Sequence, residues 1–368
     1  MQFVNGNIYR EDFSFHSGDF RVENGLFSSG RDNESFDLEG AYVIPGLVDI
    51  HTHGNSGMDF SDPDCDVGKC ADYLVRRGIT SFLMTVETSP RERLYKVIGA
   101  SGRRLSAFTG TSHPFGFNLE GPFLSPSANG AQNADWLIPP DEKLFGDLQN
   151  KAHGHIKIVS VAPELPRATE FIGSASQNCT VSLGHTSAGY SVASAAFDSG
   201  ASHVTHLFNA MRPFHHRDGA LLCAAAEKAS TVELIADGIH VSPEAIRLAF
   251  SIFRHRICLV SDSLSCCGMP PGKYRFGNKT IVSDGKTARL TDGTLAGSAS
   301  DLMDILKKCV SFGIPLEEAV RAATHTPASA AGAADITGSI SPGKHADFLV
   351  LDNSLNLLKV FSDGIPVI

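Results

Sequence analysis

Polar and apolar residues alternate through positions 1–40, with Gly and Asn punctuation, as in Phe3-Val4-Asn5-Gly6-Asn7-Ile8-Tyr9. A period of two marks half-buried strands, and the glycines and asparagines mark the turns between them. The texture then changes. Tyr42-Val43-Ile44-Pro45-Gly46-Leu47-Val48-Asp49-Ile50 reads as one strand running into His51-Thr52-His53-Gly54. Seven further short apolar runs follow: Thr80–Thr85, Pro114–Leu119, Ile156–Val161, Thr180–Leu183, His203–Leu207, Val232–Ile235 and Cys258–Ser261. Segments between them predict helices over Val67–Arg77, Arg91–Leu105, Ala188–Ser199, Pro243–Phe253 and Asp301–Phe312. Eight strand–helix units fit a closed parallel (β/α)8 barrel. A doubly wound open sheet is the alternative, but no G-x-G-x-x-G follows the first strand. After Pro327 the chain turns small and Gly-rich, and Phe348-Leu349-Val350-Leu351 returns to strand character without a helical partner. The expected fold is therefore an α/β TIM-like barrel over residues 45–333, beside a small β-sandwich domain built from both chain ends, 1–44 and 334–368.

Composition narrows the partners. The 368 residues are 42% hydrophobic and 19% charged, a globular balance, and the net charge is 31 − 40 = −9. No overall basic footprint suggests nucleic acid. The apolar runs are strand-sized, so no transmembrane helix is expected, and Met1 to Arg10 lacks the regions of a signal peptide. Eight scattered cysteines form no C-x-x-C clip, which reads as reduced thiols in a cytoplasmic protein.

The fifteen histidines are informative through their placement. Metal-ligand types end the predicted strands: His51 and His53 the first, Glu120 the third, His185 the fifth, His206 the sixth and Asp262 the eighth. In a (β/α)8 barrel those ends converge on one face. His51 and His53 stand at i and i+2, so both point to the same side of a strand. Singly, an H-x-H can sit on a surface loop, Glu120 before Gly121-Pro122 can be a turn acid, and Asp262 can cap a helix. Together they offer carboxylate and imidazole donors without thiolate, a set that suits Zn²⁺, Fe²⁺, Mn²⁺ or Co²⁺. Asp262 could take a proton from water and return it to a leaving nitrogen. Asn209, Arg217 and His240 add polar and positive groups expected near the same face, and Arg offers a fork for phosphate; a solvated loop charge is the other reading of Arg217.

These residues resemble the amidohydrolase superfamily, in the H-x-H after the first strand and the late aspartate. The finer motifs are similar to those of the N-acetylglucosamine-6-phosphate deacetylase family: Leu119-Glu120-Gly121-Pro122-Phe123, Gly184-His185-Thr186, the HVTHLFNAM run from His203 to Met211, Ile235-Ala236-Asp237-Gly238-Ile239-His240, Ser261-Asp262-Ser263 and Leu295-Ala296-Gly297-Ser298. The resemblance runs from about residue 42 to 350. It implies that Glu120, His185 and His206 hold a principal divalent metal, Zn²⁺ first among the candidates. His51 and His53 would hold a second one in some members, with Glu120 bridging. It implies Asp262 as acid/base, and Ala131, Gln132, Asn209, Ala210, Arg217, Asp237, His240, Leu295, Ala296 and Gly297 as substrate contacts. A phosphate contact would come across a homodimer interface. One position departs: Gln132 stands where the family commonly has a histidine, and a neutral amide can hydrogen-bond but carries no charge.

The expected activity is metal-dependent hydrolysis of the acetamide of N-acetylglucosamine 6-phosphate in amino-sugar recycling. The alternatives are deacetylation of the 4-epimer N-acetylgalactosamine 6-phosphate, another amidohydrolase acting on an N-acyl amino acid or cyclic amide, and a catalytically silent sugar-phosphate-binding barrel. The last should have lost a ligand or the acid/base, and all six positions are occupied.

Overall fold

The computed structural model describes residues 1–105 and 107–368. Eight parallel strands form the barrel in chain order, each beside the next: Leu47–Thr52, Ile79–Glu87, His113–Glu120, Ile156–Val161, Thr180–Leu183, His203–Val204, Thr231–Leu234 and Ile257–Leu259. The ring is completed just past the last strand, where the Asp262 N–H donates to His51 O and the His53 N–H to Ser263 O, both at 2.8 Å. Every residue of Ile79–Glu87 is buried, as a strand between barrel interior and outer helices must be. The helices carry local start signals. Before Pro243–Phe253, the Ser242 hydroxyl accepts the Ala245 N–H and Pro243 opens the first turn. Before Leu302–Ser311, Asp301 caps through the Asp304 N–H.

Both chain ends share a second sheet, with Gln2–Tyr9 at its centre. The first half of that strand pairs with Ser35–Asp37 and the second half with Tyr42–Pro45, while Phe15–Glu23 runs along its other edge. Phe348–Leu351, Leu357–Ser362 and Ile365–Pro366 extend the sheet from the C-terminal end. Its core is aromatic: Phe3 stacks on Phe20 at 5.0 Å, and Phe348 on Phe361 at 4.4 Å. The Tyr9 hydroxyl docks this unit on the barrel by donating to Glu317 O at 2.7 Å.

The stretch Tyr42–Ile50, expected as one strand, is divided between the two sheets. Tyr42–Pro45 pairs with Phe348–Leu351, and Leu47–Thr52 pairs with Ile79–Glu87. Gly46 is the pivot, because a Cβ there would meet Thr80 Oγ1 at 2.1 Å. The strand expected over His203–Leu207 pairs only at His203 and Val204, since left-handed backbone at His206 and Phe208 turns the chain out of the sheet. Five helices lie outside the expected set: Glu142–Lys151, Ala168–Ala175, Ala220–Lys228, Leu316–Ala323 and His325–Ala330. Ala220–Lys228 (ALLCAAAEK) has too little polar contrast for its period to stand out. A three-stranded antiparallel sheet, Gly272–Phe276, Lys279–Ser283 and Ala288–Leu290, was also not expected, and its Phe276 lines the cavity at the barrel mouth. Among the described residues, no helix is long and apolar enough to cross a membrane.

Candidate active site and metal centre

The barrel topology brings the strand-end ligands together. Glu120 Oε1 lies 2.9 Å from His206 Nε2, 3.1 Å from His185 Nε2 and 3.5 Å from His51 Nε2. Its other oxygen lies 3.2 Å from His53 Nε2. Asp262 Oδ1 stands 3.3 Å from His53 Nε2 and 3.6 Å from His51 Nε2. All six residues are buried. Three of the loop-borne groups hold left-handed backbone: His185 at φ 46°, His206 at φ 25° and Asp262 at φ 47°. Such conformations cost a non-glycine residue about 1–3 kcal/mol and persist where the surroundings fix them. Here they turn each side chain off its strand into the mouth.

The donor set fits a divalent cation. His185 Nδ1 donates to Ala128 O at 2.9 Å and His51 Nδ1 to the Glu233 carboxylate at 2.8 Å, so on each ring Nε2 is the nitrogen left to serve as a ligand at the centre. His51 Nε2 is buried without a hydrogen-bond partner. His185 Nε2 and His206 Nε2 face each other at 3.2 Å beside one carboxylate oxygen. Two triads, Glu120–His185–His206 and His51–His53–Glu120, each keep their donor atoms within 4.8 Å of one another and share Glu120. Nitrogen and oxygen donors at this spacing suit a divalent transition metal.

Charge coupling inside the cluster is strong. Burial opposes charge on His53, but hydrogen bonds with Asp262 and Glu120 outweigh it and push its pKa up to about 10. Burial would raise the Glu120 carboxyl; the His51 charge and the His185 and His206 bonds hold it well below the carboxylate range instead. Asp262 follows the same pattern: burial raises it, and the His53 bond and the charges of His51 and His53 bring it below its ordinary value. It is therefore a carboxylate at neutral pH.

A cavity of about 310 Å³ opens above these groups. A larger hollow of about 760 Å³, beside Phe13, Arg254 and Arg321, holds none of the convergent ligands. The smaller cavity brings in Ala131, Gln132, Asn209, Ala210, His240 and Leu295–Gly297, as the sequence led one to expect. Gln132 is engaged at both ends: Oε1 accepts the Thr88 N–H at 3.0 Å, and Nε2 donates to Glu120 Oε2 at 2.6 Å. His240 has Nδ1 2.7 Å from Asp237 Oδ2 and Nε2 2.7 Å from Ala296 O. Both neighbours are acceptors, an arrangement that favours the doubly protonated ring, and the Asp237 hydrogen bond and charge raise its pKa against the effect of burial. Asp237 stands behind His240 rather than in the cavity lining. Arg217 is not brought to this cavity. It sits on an exposed turn, with Nη1 donating to His216 Nε2 at 2.8 Å.

Two contributors were missed in the sequence. Glu233, fully buried, accepts from His51 Nδ1, lies 3.2 Å from His203 Nε2 and accepts the His206 N–H at 3.0 Å. Its signal was a lone charge inside the apolar strand Thr231–Leu234. Phe276, from the three-stranded sheet, stands edge-on to His53 at 5.5 Å. The alternation in Lys273-Tyr274-Arg275-Phe276 could have revealed the strand, though not where it packs.

Comparison with known proteins agrees with this geometry. Residues 42–367 match the model of the amidohydrolase family. The N-acetylglucosamine-6-phosphate deacetylase of Bacillus subtilis is 35% identical over 331 residues, covering 88% of this chain and 83% of that one. The human N-acetylglucosamine-6-phosphate deacetylase is 34% identical, covering 99% and 94%. The crystal structure of N-acetyl-D-glucosamine-6-phosphate deacetylase from Mycobacterium smegmatis superposes with a TM-score of 0.92 at 28% identity, over 100% of both chains. The chain belongs to the amidohydrolase family, among the N-acetylglucosamine-6-phosphate deacetylases.

Proposed function

We propose that this chain hydrolyses the acetamide of N-acetyl-D-glucosamine 6-phosphate to acetate and glucosamine 6-phosphate, in amino-sugar recycling in the cytoplasm. The observation that carries the reading is the convergence of Glu120, four imidazoles and the Asp262 carboxylate at one end of a cavity whose other side holds His240 paired with Asp237. A mutant of the M. smegmatis relative, 30% identical to this chain, has been solved in complex with N-acetyl-D-glucosamine-6-phosphate. Glu120, His185 and His206 hold the principal metal, with Zn²⁺ as our assignment, and His51 and His53 provide for a second. Bound there, a divalent cation supplies Lewis acidity toward a carbonyl oxygen and toward water.

The chain's own groups complete the reaction. Asp262 accepts a proton from the attacking water as its oxygen bonds to the acetamide carbon. The carboxyl then delivers that proton to the nitrogen as the C–N bond breaks, which releases acetate and the free amine. Glu233 keeps the His51 ring oriented, and Gln132 does the same for Glu120. His240, held by Asp237, faces the sugar phosphate with Asn209, Ala210 and the Ala131 and Leu295–Gly297 segments around the ring. Arg217 lies outside its own chain's cavity on an exposed turn, three residues after Phe214, which is 54% exposed. That position suits a phosphate contact made into the cavity of a second copy, and hence a homodimer.

A second reading is the 4-epimer substrate, because an N-acetylgalactosamine-6-phosphate deacetylase of Escherichia coli O157:H7 is 31% identical over 88% of this chain. Measuring kcat/KM on both 6-phosphates and on unphosphorylated N-acetylglucosamine separates the readings. The proposal expects the glucosamine epimer to lead. A higher value for the galactosamine epimer would reverse the assignment, and equal values with and without phosphate would end it.

A further inference from the structure

The barrel strand His113–Glu120 has a chemical group at each end. Glu120 closes the catalytic end, and His113 opens the other, seven residues away or roughly 23 Å along a strand. His113 Nε2 lies 3.1 Å from Asp363 Oδ2, and His345 Nδ1 lies 2.5 Å from Asp363 Oδ1. The three donors lie within 4.8 Å of one another. They come from distant parts of the chain: His113 from the barrel, His345 from the segment before Phe348–Leu351, and Asp363 from the tight turn between Leu357–Ser362 and Ile365–Pro366. We propose that His113, His345 and Asp363 form a second divalent-metal site, separate from the catalytic centre, that ties the chain-end sheet to the floor of the barrel.

Charge balance supports the assignment. Asp347, 3% exposed, lies behind the cluster; its Oδ1 accepts the Asp363 N–H at 2.8 Å and its Oδ2 has no partner. Among the described residues, no lysine or arginine pairs with Asp347 or Asp363. The imidazoles are thus the only charged partners of Asp363, and the buried Asp347 beside it has a backbone N–H on one oxygen and nothing on the other, so a metal bound here would supply positive charge the site otherwise lacks. Two imidazole nitrogens and a carboxylate oxygen form a three-ligand set that suits Zn²⁺ and leaves a fourth position for water. The three side chains are 29%, 39% and 37% exposed, which gives ion and water a route in. The competing arrangement is a clamp in which protons on the two rings bridge to Asp363 without a metal.

Zinc titration of the full-length, chelator-stripped protein against a chromophoric competitor counts the sites. Wild type is compared with His345→Ala and with the gentler His345→Gln. The expected result is one fewer tightly bound zinc per chain in both variants, an unchanged kcat after reloading, and a smaller zinc-dependent rise in Tm. The same zinc count in wild type and in the folded variant would overturn the metal site in favour of the proton clamp. Should His345→Ala fail to fold, His345→Gln carries the count, because its side chain is already part-exposed and its replacement keeps a polar group there.

Discussion

The two ends of the strand His113–Glu120 carry the same residue types in different settings. At the catalytic end the imidazoles and Glu120 are between 0% and 5% exposed, several ring nitrogens lack partners, and the loop ligands hold left-handed backbone. At the floor, His113, His345 and Asp363 are about a third exposed and every close contact is an ordinary hydrogen-bonded pair. Ligand chemistry alone therefore does not separate a reactive centre from a tether. Backbone strain does not separate them either, since Asp363 at the floor is left-handed at φ 48°. Burial does: water reaches the three floor ligands, whereas the mouth ligands are shut off from it and their charges act on one another with little screening. The mouth also faces a cavity of about 310 Å³.

The largest effect should come from Asp262→Asn. The amide is close to isosteric but cannot take the proton from water, so kcat should fall about 10²–10⁴-fold while bound metal stays largely in place. Steady-state rates paired with elemental analysis check this. Near-native kcat would remove Asp262 from the mechanism and leave the mouth no more reactive than the floor.

Next is the buried support behind the ligands. Glu233→Gln removes the carboxylate that fixes the His51 tautomer and also receives the His206 N–H. A loss of such an outer partner typically weakens metal binding about 10–100-fold. Metal competition assays should show that loss at the mouth, with no change in zinc bound at the floor. An equal loss at both ends would mean Glu233 acts through general stability rather than through ligand orientation.

How much of this was legible in the sequence follows from what each feature depends on. His51, His53, Glu120, His185, His206 and Asp262 stood out because strand ends converge in a barrel, a rule of topology that needs no side-chain detail. Left-handed φ at His185, His206 and Asp262 could not be read from the sequence, since His and Asp adopt it more often than most residues yet only at a minority of their positions. The Gly46 break was invisible because the apolar run continues through it, and only the approach of Thr80 decides the turn. Glu233 was overlooked because a charge in a buried strand is meaningful only once its partners, 182 and 30 residues away, are known. The floor cluster was illegible for the same reason: its members join a strand start, a loop and a turn that carry no shared motif. Arg217 went the other way. Its motif position suggested the cavity, and in a single chain the loop carries it outside.

Arg217 therefore offers a test of the homodimer. Losing one charge-assisted phosphate contact, worth about 1.5–3 kcal/mol, should lower kcat/KM for the 6-phosphate roughly 10–100-fold. Hydrolysis of the unphosphorylated sugar should barely change. Mixing Arg217→Ala chains with Asp262→Asn chains sharpens the point, because an intact Arg217 and an intact Asp262 can then serve one cavity only across the interface. Activity above that of either parent supports the shared site; activity equal to their average places Arg217 within its own chain.

The smallest expected effect concerns His240, and it tests whether the mouth uses a fixed cation away from its metal ligands. Burial opposes charge on this ring, but the Asp237 hydrogen bond and charge outweigh it and raise its pKa above the usual histidine value. A raised pKa means the cation is fully present below the ordinary histidine value and is lost as pH climbs through the elevated one. The KM for the phosphorylated substrate should therefore rise on the alkaline side, while kcat, which depends on Asp262, need not follow it. His240→Gln keeps a donor toward Ala296 O but removes the charge. Exchanging a charge-assisted contact for a neutral one costs about 1 kcal/mol, or roughly fivefold in kcat/KM at neutral pH. The variant should also lose the alkaline rise in KM, a readout that mere loosening of the loop would not move. A His240→Gln profile parallel to wild type across that range would show that the phosphate does not use this cation.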